Sequence, residues 1–283
     1  MKRANTKKAL AWWKYVLLAL PCIVFLFPVF VLITRSFFSN SELTTIGAGI
    51  FSKNPTLDNY KEALSNKDFL NGLKNSLIIC ACSVIGGPLT AFMAAYAFTK
   101  VKFTGRKFWF MIGIGTVMIP GVLLQLPCYK IFVDIGWYDT LLPLTIPCFF
   151  GGGILNIFMI MQFIRSIPKE VYEAATLDGA NTFKKMFRIT MPVIRPIIIL
   201  MMVNSFFGAW TDLTGPLLYI QSPENYTVTL YIFEQFLCVE EAESMRMATQ
   251  MAIGVLLMIP MVIVYCIFQK QLINGLKFGA VKE

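Results

Sequence analysis

The chain holds 16 carboxylates, seven cysteines and no histidine, so little in it can do acid–base or metal chemistry. Histidine is the usual general base and the commonest metal ligand. Cys22, Cys80, Cys82, Cys128, Cys148 and Cys266 lie in or beside apolar runs, where a free thiol behaves as a small apolar group. Cys238 stands alone in a polar stretch, so no disulfide framework is indicated. Cys80-x-Cys82 points to two helix faces and lacks further ligands, which argues against a metal site. No GxxxxGK[ST] loop is present to cradle a phosphate.

One constellation remains, RSIPKEVYEAATLDGANTFKKMFRITMPVIRP from Arg165 to Pro196. Pro168 suits the first turn of a helix that Ser166 can cap. That helix runs to about Leu177, and Gly179 is placed for the left-handed turn that ends helices. Thr182 can cap a second short helix, on which Phe183 and Phe187 are four apart and share a face. Pro192 restarts the chain into the next apolar run. The spacing therefore predicts a helix–turn–helix with one apolar face and a basic cluster of Lys184, Lys185 and Arg188. By composition alone, an amphipathic hairpin resting on a membrane surface has the same pattern.

The elements that must position this loop are membrane helices. Of the residues 57% are hydrophobic and 14% charged, whereas soluble domains carry roughly a quarter charged residues. The apolar residues come in blocks of about twenty, the length a helix needs to cross about 30 Å of hydrocarbon. Backbone groups in lipid must pair within their own segment, so the fold class is an all-α integral membrane protein. Six spans are predicted, near 15–37, 74–98, 108–130, 139–164, 191–212 and 247–269. The basic start resembles a signal peptide, but no small-x-small cleavage pattern follows, so an uncleaved anchor is expected. Gly86-Gly87-Pro88, Pro120-Gly121, Pro147 with Gly151-Gly152-Gly153, and Pro260 fall inside spans and predict bends or close backbone approach. Ala91 and Ala95, four apart, can seat a neighbouring helix.

Charge orients the spans. With the N-terminus inside, the segments 1–14, 99–107, 165–196 and 270–283 hold 18 of the 25 Lys and Arg, but only 4 of the 16 acids. The positive-inside rule expects that bias. Both termini and the loop 165–190 are then cytoplasmic, and the loops 38–73 and 213–246 lie outside. The basic residues flank spans and face anionic lipid, so the high pI calls for no nucleic-acid partner. Nothing separates two soluble domains, and residues 1–283 read as one membrane domain.

Glu173-Ala174-Ala175, three residues, Gly179, nine residues, then Ile189-x-Met191-Pro192 closely resembles the EAA loop of ABC importer permeases. The family pattern ends Ile-x-Leu-Pro, and Met191 for leucine is a volume-conserving departure. "FFGAWTDLTGPLLYIQSPENYTVTL" looks like the fifth-span exit of carbohydrate permeases, matching at Trp210 and Asp212 and departing at Thr211 and Leu213. The end, "FQKQLINGLKFGAVKE", is similar to the tail of the shorter permease of maltose-type importers.

The resemblance implies a non-catalytic subunit in a bacterial plasma or inner membrane. Its partners would be a second permease, a cytoplasmic ATPase dimer that carries ATP and Mg, and an extracellular solute-binding protein that delivers a carbohydrate. Glu173 would pair with a basic residue of the ATPase, Ala174 and Ala175 would let the helix seat closely, and Gly179 would permit the turn. Ile189, Met191 and Pro192 complete that coupling set. Trp210 and Asp212, with Asn204 and Gln125 as further polar candidates, would line the substrate pathway.

Other classes fit less well. Charge enters the spans only near their ends, at Arg35, Lys74, Lys130, Asp139, Arg195 and Asp212, and none interrupts a span's middle, while ion-coupled carriers normally need intramembrane ionisable groups. Backbone carbonyls can also bind sodium, which keeps that class open. An enzyme lacks a convergent acid–base set. Within the ABC class, a non-sugar solute is the alternative.

Overall fold

A computed structural model describes residues 2–45, 47, 49–237 and 247–280, with the side chains of those from 13 to 272. Every regular element among them is helical. Among the described residues four stretches are long and apolar enough to cross a bilayer: Trp13–Arg35, Lys67–Lys100, Leu142–Arg165 and Met247–Leu272. Two pairs, Arg106–Thr116 with Gly121–Asp134 and Thr182–Val193 with Arg195–Thr211, are bent by 101° and 80°, and each counted as one broken span brings the total to six.

The helices do not stop where the apolar runs do. The second is 34 residues long, Lys67–Lys100, and starts seven residues before the predicted 74. The stretch predicted as one span over 108–130 is broken at Pro120 and Gly121. The predicted span 139–164 is interrupted too: a 3-10 turn, Ile146–Phe149, ends it, and Ile154–Arg165 restarts it. Between them Gly151, Gly152 and Gly153 all have positive φ.

Close approach explains the glycines. A Cβ on Gly152 would lie 2.3 Å from the Gly87 carbonyl oxygen, so the two backbones touch where any side chain would separate them. The bonds lost by unwinding are replaced locally: Gly151 N–H donates to Thr90 Oγ1 (3.2 Å) and Asn156 Nδ2 donates to the Gly152 carbonyl (2.6 Å).

The fifth span also differs from its prediction over 191–212. Pro192 does not restart the chain. The helix Thr182–Val193 carries through it, by way of a wide π turn, Lys185–Thr190, and the break comes at Ile194. Pro192 has no N–H to close on the preceding turn, and a π turn is one way a helix absorbs that gap. Pro196 then sits in the first turn of Arg195–Thr211, where no N–H is needed.

The chain divides into two compact units, 1–67 with 234–260 and 68–233 with 261–283. In the first, the loop after the first span is folded: Asn59 Nδ2 donates to the carbonyls of Ser36 (2.9 Å) and Phe38 (2.7 Å). Asn40 Oδ1 accepts from Ala248 N–H (2.9 Å), capping the start of the last helix, and Thr249 Oγ1 donates to Glu62 (2.9 Å). Cys238 and Arg246, with the acidic stretch between them, lie outside the described residues. In the second unit the core gathers Ala91, Phe92 and Ala95 of the second span with Ile160, Ile164 and Ile194, all at most 1% exposed. Ala91 and Ala95 thus seat their neighbours as predicted.

Candidate functional site

The loop 165–190 is a helical elbow. Its first arm is Lys169–Leu177, with Pro168 at the N-cap. Ser166 does not cap it: that residue closes the helix before, donating its hydroxyl to the Phe163 carbonyl (2.8 Å). The arm ends in a Schellman turn, in which Ala180 N–H reaches the Ala175 carbonyl (2.9 Å) and Gly179 N–H the Thr176 carbonyl (3.0 Å). Gly179 has φ +71°, and no atom lies within 4 Å of where its Cβ would be. The turn needs glycine for its backbone, not for space.

Asn181, not Thr182, caps the second arm: its Oδ1 accepts from Lys184 N–H (2.9 Å), which leaves Thr182 as the first helical residue. The two phenylalanines predicted to share a face differ in their contacts. Phe187 packs edge-on against Phe92 with ring centroids 6.0 Å apart, while Phe183 is 65% exposed.

Polar contacts lock the arms to each other and to the second span. Lys185 Nζ donates to Thr176 Oγ1 (2.7 Å), and the Tyr172 and Thr190 hydroxyls meet at 2.9 Å. Lys100, the last residue of the second span, sets its ammonium 3.8 Å from the centre of the Tyr172 ring. Burial pushes the Tyr172 phenol above its ordinary pKa, against the Thr190 hydrogen bond, so it stays neutral. What faces outward is Glu173, Ala174 and Leu177, the last 90% exposed. Ala175 is buried, and Met191 packs against the core.

At the other end of the same span, the loop after Thr211 is fastened down. Asn75 Nδ2 donates to the carbonyls of Glu224 (2.9 Å) and Tyr226 (3.0 Å), and Val228 N–H donates to Ser76 Oγ (2.9 Å). Asp139 holds it from another side. With φ +58°, it accepts from the N–H groups of Gln221 (2.9 Å) and Ser222 (2.8 Å) and from the Ser222 hydroxyl. Partial burial works to raise its pKa, but the Ser222 and Gln221 hydrogen bonds outweigh that and hold the carboxyl below the ordinary aspartate value.

Beneath this loop lies a cavity of about 420 Å³, walled by the second span, the segment around Gly152, the helix Arg195–Thr211 and the loop itself. Asp212 lines it. Its Oδ1 accepts from Gly215 N–H (3.2 Å), and its carbonyl accepts from Thr229 Oγ1 (2.7 Å).

The family model described as "binding-protein-dependent transport system inner membrane component" matches residues 2–277. The chain belongs to that family. It is therefore a non-catalytic transport component, with ATP hydrolysis carried out by a separate subunit. Similar relatives include the inner membrane ABC transporter permease protein YcjP of Escherichia coli, 28% identical over 267 residues and 94% of each chain. The galactooligosaccharides transport system permease protein GanQ of Bacillus subtilis is 27% identical over 274 residues, 95% of each chain. The trehalose/maltose transport system permease protein MalG of Thermococcus litoralis is 28% identical, covering 100% of this chain and 99% of that one. A crystal structure of a bacterial ABC transporter importing the acidic polysaccharide alginate shares the fold. Its matching chain has a TM-score of 0.84 at 20% identity, over 94% of this chain and 97% of that one.

The candidate pathway residues of this family member separate on the structure. Only Asp212 lines the cavity; Trp210 is buried, stacked on Phe206 at 5.7 Å. Asn204 is exposed and Gln125 half-buried, and neither faces that space. Asp139, Asn75 and Ser76 escaped the sequence reading, because each acts on a partner about 80 to 150 residues away. A lone aspartate among turn-forming residues such as Gly136 is the one hint that Asp139 had to give.

Proposed function

We propose that the chain is the membrane permease subunit of an ATP-driven importer for a sugar or oligosaccharide. It acts with a second permease, a pair of ATPase subunits that bind ATP and Mg, and an extracellular solute-binding protein. Both termini and the elbow face the cytoplasm; the loop after Thr211 faces outside. One observation carries this reading: Ser76 holds the loop and Lys100 the elbow on one helix. The residues between them span about 36 Å at 1.5 Å each, roughly a bilayer. A force applied to the elbow therefore has a stiff route to the far side.

On this reading the elbow is the ATPase's handle. Glu173, Ala174 and Leu177 form the exposed contact, Ala175 and Gly179 shape it, and Ile189, Met191 and Pro192 join it to the fifth span. ATPase closure moves the handle as a rigid body and switches the spans between inward- and outward-facing states. The names of GanQ and MalG, which specify oligosaccharide or disaccharide transport, support a sugar as cargo.

The test is reconstitution. Purified alone, the chain should neither bind nor hydrolyse ATP. Assembled in proteoliposomes with its ATPase and partner permease, it should support hydrolysis stimulated by loaded binding protein, with sugar uptake. Uptake by this chain alone, driven by a sodium or proton gradient, would overturn the proposal.

A further inference from the structure

The cavity under the loop is chemically lopsided. Asp212 is its one charged wall residue, and no Lys or Arg lines it. Ser83, Ser205, Thr227 and Tyr219 add hydroxyls, and Pro143 and Leu144 add apolar surface. Among the described residues no cation pairs with Asp212. Gly215 leaves the carboxylate its room, since a Cβ there would lie 2.5 Å from Asp212 Oδ2. Tyr219 is held in place, its ring edge-on to Phe132 at 5.2 Å and stacked on Tyr129 at 6.5 Å.

A carboxylate kept beside apolar walls without a cation needs hydrogen-bond donors. Neighbouring hydroxyls of a sugar ring are such donors, and bonds from them to an ionised acceptor are among the strong ones. The C–H faces of the same ring suit proline, leucine and tyrosine. An acidic ligand fails on the same wall, because it brings a second negative charge into a site with no compensating one. At about 420 Å³ the space is at the small end of ligand pockets, enough for one or two sugar rings.

We infer that this cavity is a saccharide subsite on this chain and that Asp212 makes it selective for neutral sugars over uronates and phosphate esters. The inference rests on the sugar-import reading above. Alginate and sn-glycerol 3-phosphate, the acidic cargoes that the names of two similar proteins specify, belong to the class it excludes.

The experiment uses the whole transporter in proteoliposomes with saturating binding protein. The probes are maltotriose, β-1,4-galactotriose and raffinose, with trigalacturonate and sn-glycerol 3-phosphate as acidic counterparts. At least one neutral probe should be imported, and each acidic probe at under about a tenth of that rate. Asp212→Asn keeps the acceptor for Gly215 N–H but removes the charge. It should slow import of the neutral probe about tenfold and narrow the preference over acidic ones, while ATPase stimulation by loaded binding protein persists. Neutral probes should also slow alkylation of Cys148, which lines the same cavity, in the wild type but not in the variant. Equal import of acidic and neutral probes overturns the inference and leaves the sugar-import reading standing, as does wild-type import by Asp212→Asn. If no probe is imported or stimulates the ATPase, the sugar-import reading fails, and the inference with it.

Discussion

Asp139 shows how much one exposed-looking residue can organise. It sits in left-handed backbone and gathers two N–H groups and a hydroxyl from a segment more than eighty residues away. Aspartate and asparagine tolerate that backbone; β-branched residues do not. Its carboxyl is held below its ordinary pKa, so the charged form favours the closed loop. That stabilisation is complete above the unfolded value near 3.9 and is lost as the pH falls through the lower folded value. Hydrogen exchange of the amides of Gln221 and Ser222, corrected for intrinsic rates, should therefore accelerate as the pH drops below about 4. Asp139→Asn should open the same amides roughly five- to tenfold at pH 7, about 1 kcal/mol, less than the usual worth of bonds to a charged group because the site is half-exposed. It should also lose the acid dependence. Exchange that ignores both acid and substitution would mean that the loop is held without the Asp139 carboxylate.

At the scale of elements, the proposed coupling role makes the elbow depend on shape as well as charge. Gly179→Val strains the turn without meeting any neighbour, costing roughly 1–2 kcal/mol and tilting the first arm. Glu173→Lys leaves the turn intact and reverses the charge on the exposed face, where an opposing cation costs several kcal/mol. Both variants should insert normally, co-purify less ATPase and lose uptake. An acidic substitution at the facing position of the ATPase should restore part of the loss for Glu173→Lys only. Wild-type uptake in both, with the ATPase still bound, would reduce the elbow to a hairpin resting on lipid. The elbow was largely legible because its signals are local: a proline, a run of helix formers, then a glycine. Its errors were local as well. Asn181 outcompeted Thr182 as the cap, and the π turn carried the helix through Pro192 to a break at Ile194. The broken spans were legible as breakers at Pro120 and Gly151 to Gly153. The partner that requires the second break, Gly87, could not be read from its own neighbourhood.

For the whole molecule, the decisive quantity is which end of the second span faces which compartment. Lys100 and the basic elbow lie at one end, Asn75 and Ser76 with the loop after Thr211 at the other. The bias of 18 against 7 basic residues predicts that the elbow is inside. Two reporters test this. Thr182 is exposed at the start of the second arm, and Glu224 is exposed on the loop with a side chain that makes no hydrogen bond among the described residues. Ser222 would be a poor choice, because it is bonded into Asp139. Cysteines introduced singly at 182 and 224, with labelled peptides separated from native thiols by mass, should answer differently to a membrane-impermeant maleimide. On intact cells position 224 should react and position 182 should react only after permeabilisation. Reversed labelling would place the elbow outside, where no ATP-driven subunit could reach it, and would take the coupling argument down with the orientation. Labelling of both positions on intact cells would mean that the 36 Å between Ser76 and Lys100 does not cross the bilayer.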